Sequence, residues 1–258
     1  KMHIDTKCLQ EGYSPKSGEP RVLPIYQSTT YKYDSSDALG DLFDLKSDGH
    51  MYSRISNPTV AAVEAKIASL EGGVGALCTS SGQAASFISI ANIASAGDNF
   101  VSLSSIYGGT VNLFAVTMKK LGIEVRFATP DMSDDEINAL FDEKTKALFG
   151  ETIANPALKV LDISRFADIA HANGVPLIVD NTFATPVLCR PFEHGADIVV
   201  HSATKFMGGH GTSLGGVIVD SGKFDWKASG KFPQICEPNP SYHGASFTNV
   251  YGAAAFVA

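Results

Sequence analysis

Three short groups of polar residues follow apolar runs in the sequence, and their side chains could act together. They are Ser80-Ser-Gly-Gln83, Asp180 at the end of the run that starts at Val175, and Ser202-Ala-Thr-Lys205. Backbone N–H groups beside a glycine at a helix start bind phosphate, and a desolvated carboxylate pairs with a cation. A lysine that is partly neutral is a nucleophile. The first group therefore suggests a phosphate site, Asp180 a partner for a cation, and Lys205 a basic nitrogen in a close-packed loop.

Each group also fits a plain structural role, and both interpretations stay open at this point. The first group fits a tight turn between a strand and a helix, Asp180 fits a solvated loop residue, and Lys205 fits a surface charge. Gly211-Thr-Ser-Leu-Gly215 matches the nucleophile motif of serine hydrolases, but that motif needs a strand before it and a helix after it. Here a glycine-rich loop precedes it and a strand-like run follows. The seven histidines show no metal-ligand spacing, so we expect no metal site.

Alternating apolar runs and helical patterns position these groups. Asn57 and Pro58 begin a helix that Gly72 ends, and Ser133 and Glu136 form a capping box for another. Further helices are predicted over 82–94, 110–121 and 163–174. Seven strands are predicted over 74–79, 100–103, 125–128, 146–149, 175–180, 197–200 and 214–219. This alternation predicts an α/β fold with a mostly parallel sheet, whose sites lie at the carboxyl ends of the strands.

Composition excludes several classes of protein. The chain has 258 residues, 44% hydrophobic and 18% charged, which rules out a disordered chain and fits one large domain or two small ones. The net charge of −7 argues against nucleic-acid or membrane partners, and no apolar run approaches the ~20 residues of a membrane span. Four widely spaced cysteines favour free thiols, and the polar segment 1–11 lacks a signal sequence. We therefore expect a cytoplasmic protein.

The groups taken in order resemble the fold-type I pyridoxal-phosphate (PLP)-dependent enzymes of cysteine and methionine metabolism. The matching segments are Tyr52-Ser-Arg54-Ile-Ser-Asn57-Pro-Thr, Ser81-Gly82-Gln83-Ala-Ala, Tyr107-Gly-Gly-Thr, Glu151-Thr-Ile-Ala-Asn155-Pro, Val179-Asp180-Asn-Thr and Ser202-Ala-Thr-Lys205. The resemblance covers the chain from about Ile4 onward. It implies a PLP-dependent transferase fold with a seven-stranded, mostly parallel sheet flanked by helices, and PLP as cofactor.

The resemblance implies roles for individual residues. Lys205 matches the lysine that holds the cofactor covalently and moves protons at the substrate Cα, and Asp180 matches the acid that pairs with the pyridine nitrogen. Tyr107 matches the residue stacked on the cofactor ring. Tyr107 and Tyr52 are also expected to assist proton transfer and departure of the leaving group.

The remaining implied contacts concern the phosphate and the cofactor's phenolic oxygen. Gly82 and Gln83 match phosphate-binding N–H groups, Ser202 and Thr204 match phosphate-binding hydroxyls, and Asn155 matches the contact to the phenolic oxygen.

Two further matches imply a homo-oligomer. Tyr52 and Arg54 match residues that reach the phosphate bound by a neighbouring subunit, so we expect a dimer at least and a homotetramer for the full-length protein.

Within the family, the segment Arg190 to Ser213 is similar to the O-acetylhomoserine sulfhydrylases. The implied reaction is γ-replacement in methionine biosynthesis, in which O-acetyl-L-homoserine and sulfide give L-homocysteine and acetate. Three alternatives stay open: a cystathionine γ-synthase, a methionine γ-lyase type of enzyme, and an inactive cofactor-binding fragment. Glycine after Tyr107-Gly108 weakens the γ-lyase interpretation, because those enzymes resemble one another in having cysteine there.

The resemblance also predicts a division of the chain. Residues 1–56 are expected to form an N-terminal arm, 57–250 the PLP-binding large domain, and 251–258 the start of a truncated connection to a C-terminal domain. The apolar run from Tyr251 to Ala258 has no cap or polar tail, which suggests a segment cut within an element. The arginine that binds the substrate's α-carboxylate is expected in that missing part.

Overall fold

Seven strands form one sheet in the structure, a computed structural model that describes residues 2–44 and 46–258. The strands are β1 Gly75–Thr79, β2 Asn99–Leu103, β3 Glu124–Ala128, β4 Thr145–Glu151, β5 Leu177–Asp180, β6 Ile198–Ser202 and β7 Gly216–Asp220. Their order is β1-β7-β6-β5-β4-β2-β3. Strand β7 runs antiparallel to β1 and β6, and the other neighbours are parallel. The predicted α/β class and mostly parallel seven-stranded sheet are confirmed.

Helices connect the strands and flank the sheet. They are α1 Ile4–Gln10, α2 Ser36–Phe43, α3 Pro58–Glu71, α4 Gly82–Ala91, α5 Gly108–Asn112, α6 Asp134–Asn138, α7 Ile163–Ala172, α8 Thr185–Leu188, α9 Trp226–Ser229, α10 Pro233–Cys236 and α11 Phe247–Val250. A π-helical turn, Leu113–Met118, continues α5. Short 3-10 turns cover Pro191–His194, Pro240–Tyr242 and Gly252–Ala254.

The boundaries of α3 follow from local chemistry. The Asn57 side chain accepts a hydrogen bond from the backbone N–H of Thr59 at 2.9 Å, and Pro58 occupies the first turn, where a missing N–H costs nothing. Gly72 ends the helix with φ of +81°, a conformation that glycine adopts without a Cβ clash. The predicted start and end of this helix are confirmed.

The core lies on both faces of the central strands. Every residue of β2 and β7 is buried, and Phe114 packs edge-on between Phe100 and Phe149 with ring centroids 4.8 and 5.0 Å apart. Burying one such phenyl group stabilises the fold by roughly 2–3 kcal/mol. This packing makes the sheet a rigid support for the loops at its carboxyl edge.

Residues 2–44 make few core contacts. Within this described part of the arm, Leu42 is the buried hydrophobic residue, whereas Val22 and Ile25 are 80% and 84% exposed. The arm lies against α3. Lys7 Nζ donates to Ser69 O at 2.8 Å, and the Tyr26 backbone N–H donates to Thr59 Oγ1 at 2.9 Å.

Residues 251–258 pack onto the large domain. They contain a 3-10 turn at Gly252–Ala254, and Phe256 packs against Trp226, with parallel rings 5.3 Å apart. Asn92 Nδ2 donates to the Phe256 carbonyl oxygen at 3.0 Å. The apolar side chains of this segment therefore have partners in the core.

None of the helices in the described part of the chain is both long and apolar enough to cross a bilayer.

Candidate active site

Eight of the ten predicted site residues line one cavity of about 230 Å³. The cavity lies at the carboxyl ends of the parallel strands, where loops from separate parts of the chain converge. The predicted residues in its wall are Gly82, Gln83, Tyr107, Asn155, Asp180, Ser202, Thr204 and Lys205. The structure adds Ser81, Thr110, Glu151, Thr182, Phe183 and Leu214 to the lining.

The N-terminus of α4 forms one wall of the cavity. Ser81 caps this helix by accepting a hydrogen bond from the Ala84 backbone N–H at 3.1 Å. Gly82 contacts β6 so closely that a Cβ at this position would lie 2.5 Å from Ser202 Cβ. Gln83 Nε2 donates to Thr110 Oγ1 at 2.9 Å, which fixes its side chain. The start of α4, with its free backbone N–H donors, therefore lies in contact with a serine of β6.

Asp180 is held at the end of β5. The Thr182 backbone N–H donates to Asp180 Oδ1 at 3.0 Å, and the Thr182 hydroxyl donates to the same oxygen. Burial raises the pKa of Asp180, while the hydrogen bonds from Thr182 and the nearby His201 lower it by less. A carboxylate that is desolvated in this way lacks a full counter-charge, so a cationic ligand nitrogen would stabilise it.

Glu151 is a second buried carboxyl group in the cavity wall, and the sequence interpretation assigned it no role. It is 5% exposed and lies opposite Asp180 in the register of β4 and β5. Glu151 Oε2 accepts a hydrogen bond from the Tyr107 backbone N–H at 2.6 Å. Burial, together with the charge of Asp180, raises the pKa of Glu151 to about 8. The sequence pattern that pointed to Asp180, a carboxylate at the end of an apolar strand, also applies to Glu151 and could have identified it.

Lys205 and Thr204 follow β6. Thr204 Oγ1 is tied to the backbone of Gly215, accepting from its N–H at 3.1 Å and donating to its carbonyl oxygen at 3.2 Å. Among the described residues, no carboxylate lies within ion-pair distance of Lys205. Lys205 is exposed in the chain by itself.

Tyr107 is half-exposed, and its ring lies over the backbone of Gly109. A Cβ on Gly109 would lie 2.5 Å from Tyr107 Cε1. The ring therefore needs glycine, or a displaced neighbour, at position 109 to keep its present orientation.

Tyr52 and Arg54 do not line the cavity. The Arg54 guanidinium lies 5.1 Å from the centroid of the Tyr52 ring, and Tyr52 is 38% exposed. The structure therefore places the pair outside this chain's own cavity, and their expected contact with a neighbouring subunit stays a prediction.

The hydrolase-like segment lacks the context that its motif requires. Gly211 adopts φ of +65° in a loop, and β7 begins directly after Gly215. A strand thus follows the serine where a nucleophile elbow needs a helix.

Comparison with known proteins identifies the family. Residues 5–254 match the sequence profile of the Cys/Met metabolism PLP-dependent enzymes. The chain belongs to this family. It is 51% identical over 257 residues to the homocysteine synthase of Schizosaccharomyces pombe. This alignment covers 98% of the chain and 60% of that protein. It is 47% identical over 258 residues to O-acetyl-L-homoserine sulfhydrylase 1 of Thermus thermophilus, in an alignment that covers 99% of the chain and 61% of that protein.

Solved structures of this PLP-dependent family share the fold. A crystal structure assigned to an O-acetylhomoserine (thiol)-lyase of Campylobacter jejuni has a TM-score of 0.95 and 35% identity, covering 100% of this chain and 64% of that one. That structure contains N'-pyridoxyl-lysine-5'-monophosphate. The chain spans about three fifths of the length of the curated relatives it matches.

The cavity residues fit the family's cofactor. PLP carries a phosphate, a basic ring nitrogen and an aldehyde, so its site needs anion donors, an acid and an amine. The close approach of Gly82 to Ser202 brings the N–H groups of the helix start and a serine hydroxyl together, which suits a phosphate, and the desolvated Asp180 suits a protonated ring nitrogen. Lys205 lines the same cavity and supplies the amine.

Proposed function

We propose that the protein is a PLP-dependent sulfhydrylase that converts O-acetyl-L-homoserine and sulfide to L-homocysteine and acetate, a step of methionine biosynthesis. The observation that carries the proposal is the convergence of Lys205, Asp180 and the start of α4 on one cavity. Support for the substrate class comes from the 47–51% identity to homocysteine synthases and O-acetylhomoserine sulfhydrylases.

Three residues would perform the central chemistry. Bound PLP would supply an electron sink for a carbanion at the substrate Cα. Asp180 would keep a proton on the ring nitrogen, since the Thr182 hydrogen bonds fix its carboxylate in one orientation. The amine of Lys205 would bind the cofactor and then transfer protons at the substrate Cα. Tyr107, whose ring lies over Gly109, would stack on the cofactor and assist proton transfer.

The remaining cavity residues would bind and orient the cofactor. The backbone N–H groups of Gly82 and Gln83 would donate to the phosphate, together with the Ser202 hydroxyl and with the Thr204 hydroxyl, which would turn from the Gly215 carbonyl oxygen. Asn155 would contact the phenolic oxygen. All five residues line the cavity with Lys205.

The same proposal includes a homo-oligomer, a dimer at least and a homotetramer for the full-length protein. Tyr52 and Arg54 lie outside the cavity of their own chain, where they are available to reach a phosphate in a neighbouring subunit, with Tyr52 aiding the chemistry there. The exposed apolar side chains of Val22 and Ile25 in the arm support an interface nearby. All four cysteines are free, which supports a reducing, cytoplasmic location.

The domain division also belongs to the proposal. We assign 1–56 to an arm, 57–250 to the PLP-binding domain, and 251–258 to the start of a connection to a further domain that would bind the substrate's α-carboxylate. The sparse core contacts of residues 2–44 support the arm.

The test is an assay of the full-length protein with PLP and O-acetyl-L-homoserine. We expect homocysteine and acetate when sulfide is supplied, and none from the Lys205→Ala variant. Cystathionine formed from cysteine in preference to homocysteine from sulfide would indicate a cystathionine γ-synthase. Production of 2-oxobutanoate without a thiol product would indicate a γ-lyase, and either outcome overturns the proposed reaction.

A further inference from the structure

Three polar side chains are buried together on the face of the sheet opposite the cavity. Glu71, Asn181 and His201 are 1%, 0% and 1% exposed, and we call them the buried triad. Glu71 Oε1 accepts hydrogen bonds from His201 Nε2 and from Asn181 Nδ2, the latter at 2.9 Å. Asn181 Nδ2 also donates to the Cys189 carbonyl oxygen at 2.9 Å. The triad joins the last residue of α3 to the ends of β5 and β6.

Each strand-end member of the triad adjoins a cavity residue. Asn181 follows Asp180, and His201 precedes Ser202. Because side chains alternate between the faces of a strand, Asp180 and Ser202 line the cavity while their neighbours meet Glu71 on the other face. The Asn181 backbone N–H donates to the Val200 carbonyl oxygen at 2.9 Å, which links the two strand ends directly.

A contribution to the stability of the fold is a poor explanation for the presence of the buried triad. Burial of a carboxylate costs several kcal/mol, and replacement of a buried ion pair by apolar side chains often leaves a protein equally or more stable. Among the described residues, Glu71 Oε2, Asn181 Oδ1 and His201 Nδ1 have no hydrogen-bond partner, which adds to the cost. The hydrogen bonds instead fix the relative positions of two strand ends, and proximity of His201 favours the ionised form of Asp180.

We propose that Glu71, Asn181 and His201 are positioning residues, which hold Asp180 and Ser202 in the arrangement that binds PLP. This inference rests on the proposed function, since it concerns the same cofactor site from its opposite side. The buried triad would act through the backbone of β5 and β6 and touch neither cofactor nor substrate.

The test compares PLP affinity with stability in a double variant, Glu71→Met/His201→Leu, which replaces the hydrogen-bonded pair by apolar side chains. Absorbance titration of the apo-protein with PLP gives the dissociation constant, and urea unfolding of the apo-protein gives stability. We expect the dissociation constant to rise about tenfold or more, as for other groups that orient a ligand-binding residue, while the unfolding midpoint is unchanged or higher.

A matched control lies at the other end of β6. His171 Nε2 pairs with Asp197 Oδ2 at 2.8 Å, directly before the first residue of that strand. His171→Leu removes a similar partner from a buried aspartate far from the cavity. We expect this variant to lose stability and to keep the PLP affinity of the wild type.

If the double variant does not fold, two single variants give the answer. His201→Gln keeps an amide N–H at the place of Nε2, whereas the side chain of His201→Asn is too short to reach Glu71. We expect wild-type PLP affinity in the first and weakened affinity in the second.

Equal PLP affinity in wild type and in the folded double variant, or in both single variants, overturns the positioning role and leaves the cofactor site intact. Failure of the wild type itself to bind PLP overturns the proposed function instead.

Discussion

Two carboxyl groups share one wall of the cavity. Glu151 and Asp180 are register partners on β4 and β5, and burial together with the charge of Asp180 raises the cost of ionising Glu151. With a pKa of about 8, Glu151 is mostly protonated at neutral pH. A protonated ring nitrogen beside this wall would favour the ionised form of Asp180, whose pKa burial raises.

This arrangement predicts the pH dependence of stability. The pKa of Glu151 rises from 4.5 to about 8 on folding. The protonated carboxyl group therefore contributes fully to the free energy of unfolding below about pH 4.5, and this contribution is lost as the pH rises through 8. Glu151→Gln removes that loss and keeps an oxygen for the Tyr107 N–H. We expect the apo-variant to match wild type at pH 5 and to be more stable by about 2–4 kcal/mol at pH 9, by urea unfolding.

Glu143→Gln, at an exposed glutamate, is the control and should show the wild-type dependence on pH. If Glu151→Gln also follows the wild-type profile between pH 5 and 9, Glu151 is not the buried acid described here.

The sequence predicted the residues of the site better than it predicted their surroundings. Lys205 and Asp180 stand in motifs, so their convergence followed from the α/β fold. The hydrogen bond from the Tyr107 N–H to Glu151 joins residues 44 positions apart, so no local sequence pattern predicts it. The exposure of Lys205 likewise depends on tertiary packing, which a local motif does not report.

At the scale of elements, the site depends on how closely α4 approaches β6. The contact between Gly82 and Ser202 brings the helix start and a serine hydroxyl to the same point of the cavity. A larger residue at position 82 would force these elements apart, since a Cβ contact of 2.5 Å is not tolerated.

Gly82→Ala should therefore weaken PLP binding by about tenfold or more and lower the free energy of unfolding by about 1–3 kcal/mol. Absorbance titration and urea unfolding measure the two effects. Gly40→Ala in α2 is the matched control, because a Cβ there meets no atom within 4 Å and it should leave PLP affinity unchanged. Wild-type affinity in Gly82→Ala would show that the phosphate binds elsewhere.

The elements themselves were largely predictable. All seven strands lie within a few residues of the predicted runs, because buried parallel strands are short apolar runs bounded by turn residues. The π-helical turn over Leu113–Met118 was not predicted, since an apolar helix pattern does not distinguish i+4 from i+5 hydrogen bonding. The place of β7 between β1 and β6 rests on pairing over long sequence distances, which periodicity does not encode.

At the scale of the whole molecule, the last residues belong to the packed core. Phe256 is 4% exposed and stacks on Trp226, and Ala255 is also buried. This packing accounts for the apolar composition of 251–258, which from sequence alone indicated an unfinished element. The further connection expected there stays a prediction.

Phe256→Ala should lower the free energy of unfolding by about 3–5 kcal/mol, because it leaves a cavity beside Trp226. The chain has a single tryptophan, so its fluorescence reports this contact and should shift to the red as water reaches the ring. Val250→Ala, at a side chain that is 47% exposed, should change neither property much. A Phe256→Ala variant as stable as wild type would mean that the segment does not pack as described.

The central claim is that Lys205 holds PLP in the cavity, and peptide mapping after borohydride reduction tests it most directly. The protein is incubated with PLP, reduced, digested and analysed by mass spectrometry. We expect a pyridoxyl phosphate adduct on Lys205 and its loss in Lys205→Ala. An adduct on another lysine with Lys205 unmodified, or no adduct at all, would contradict the account.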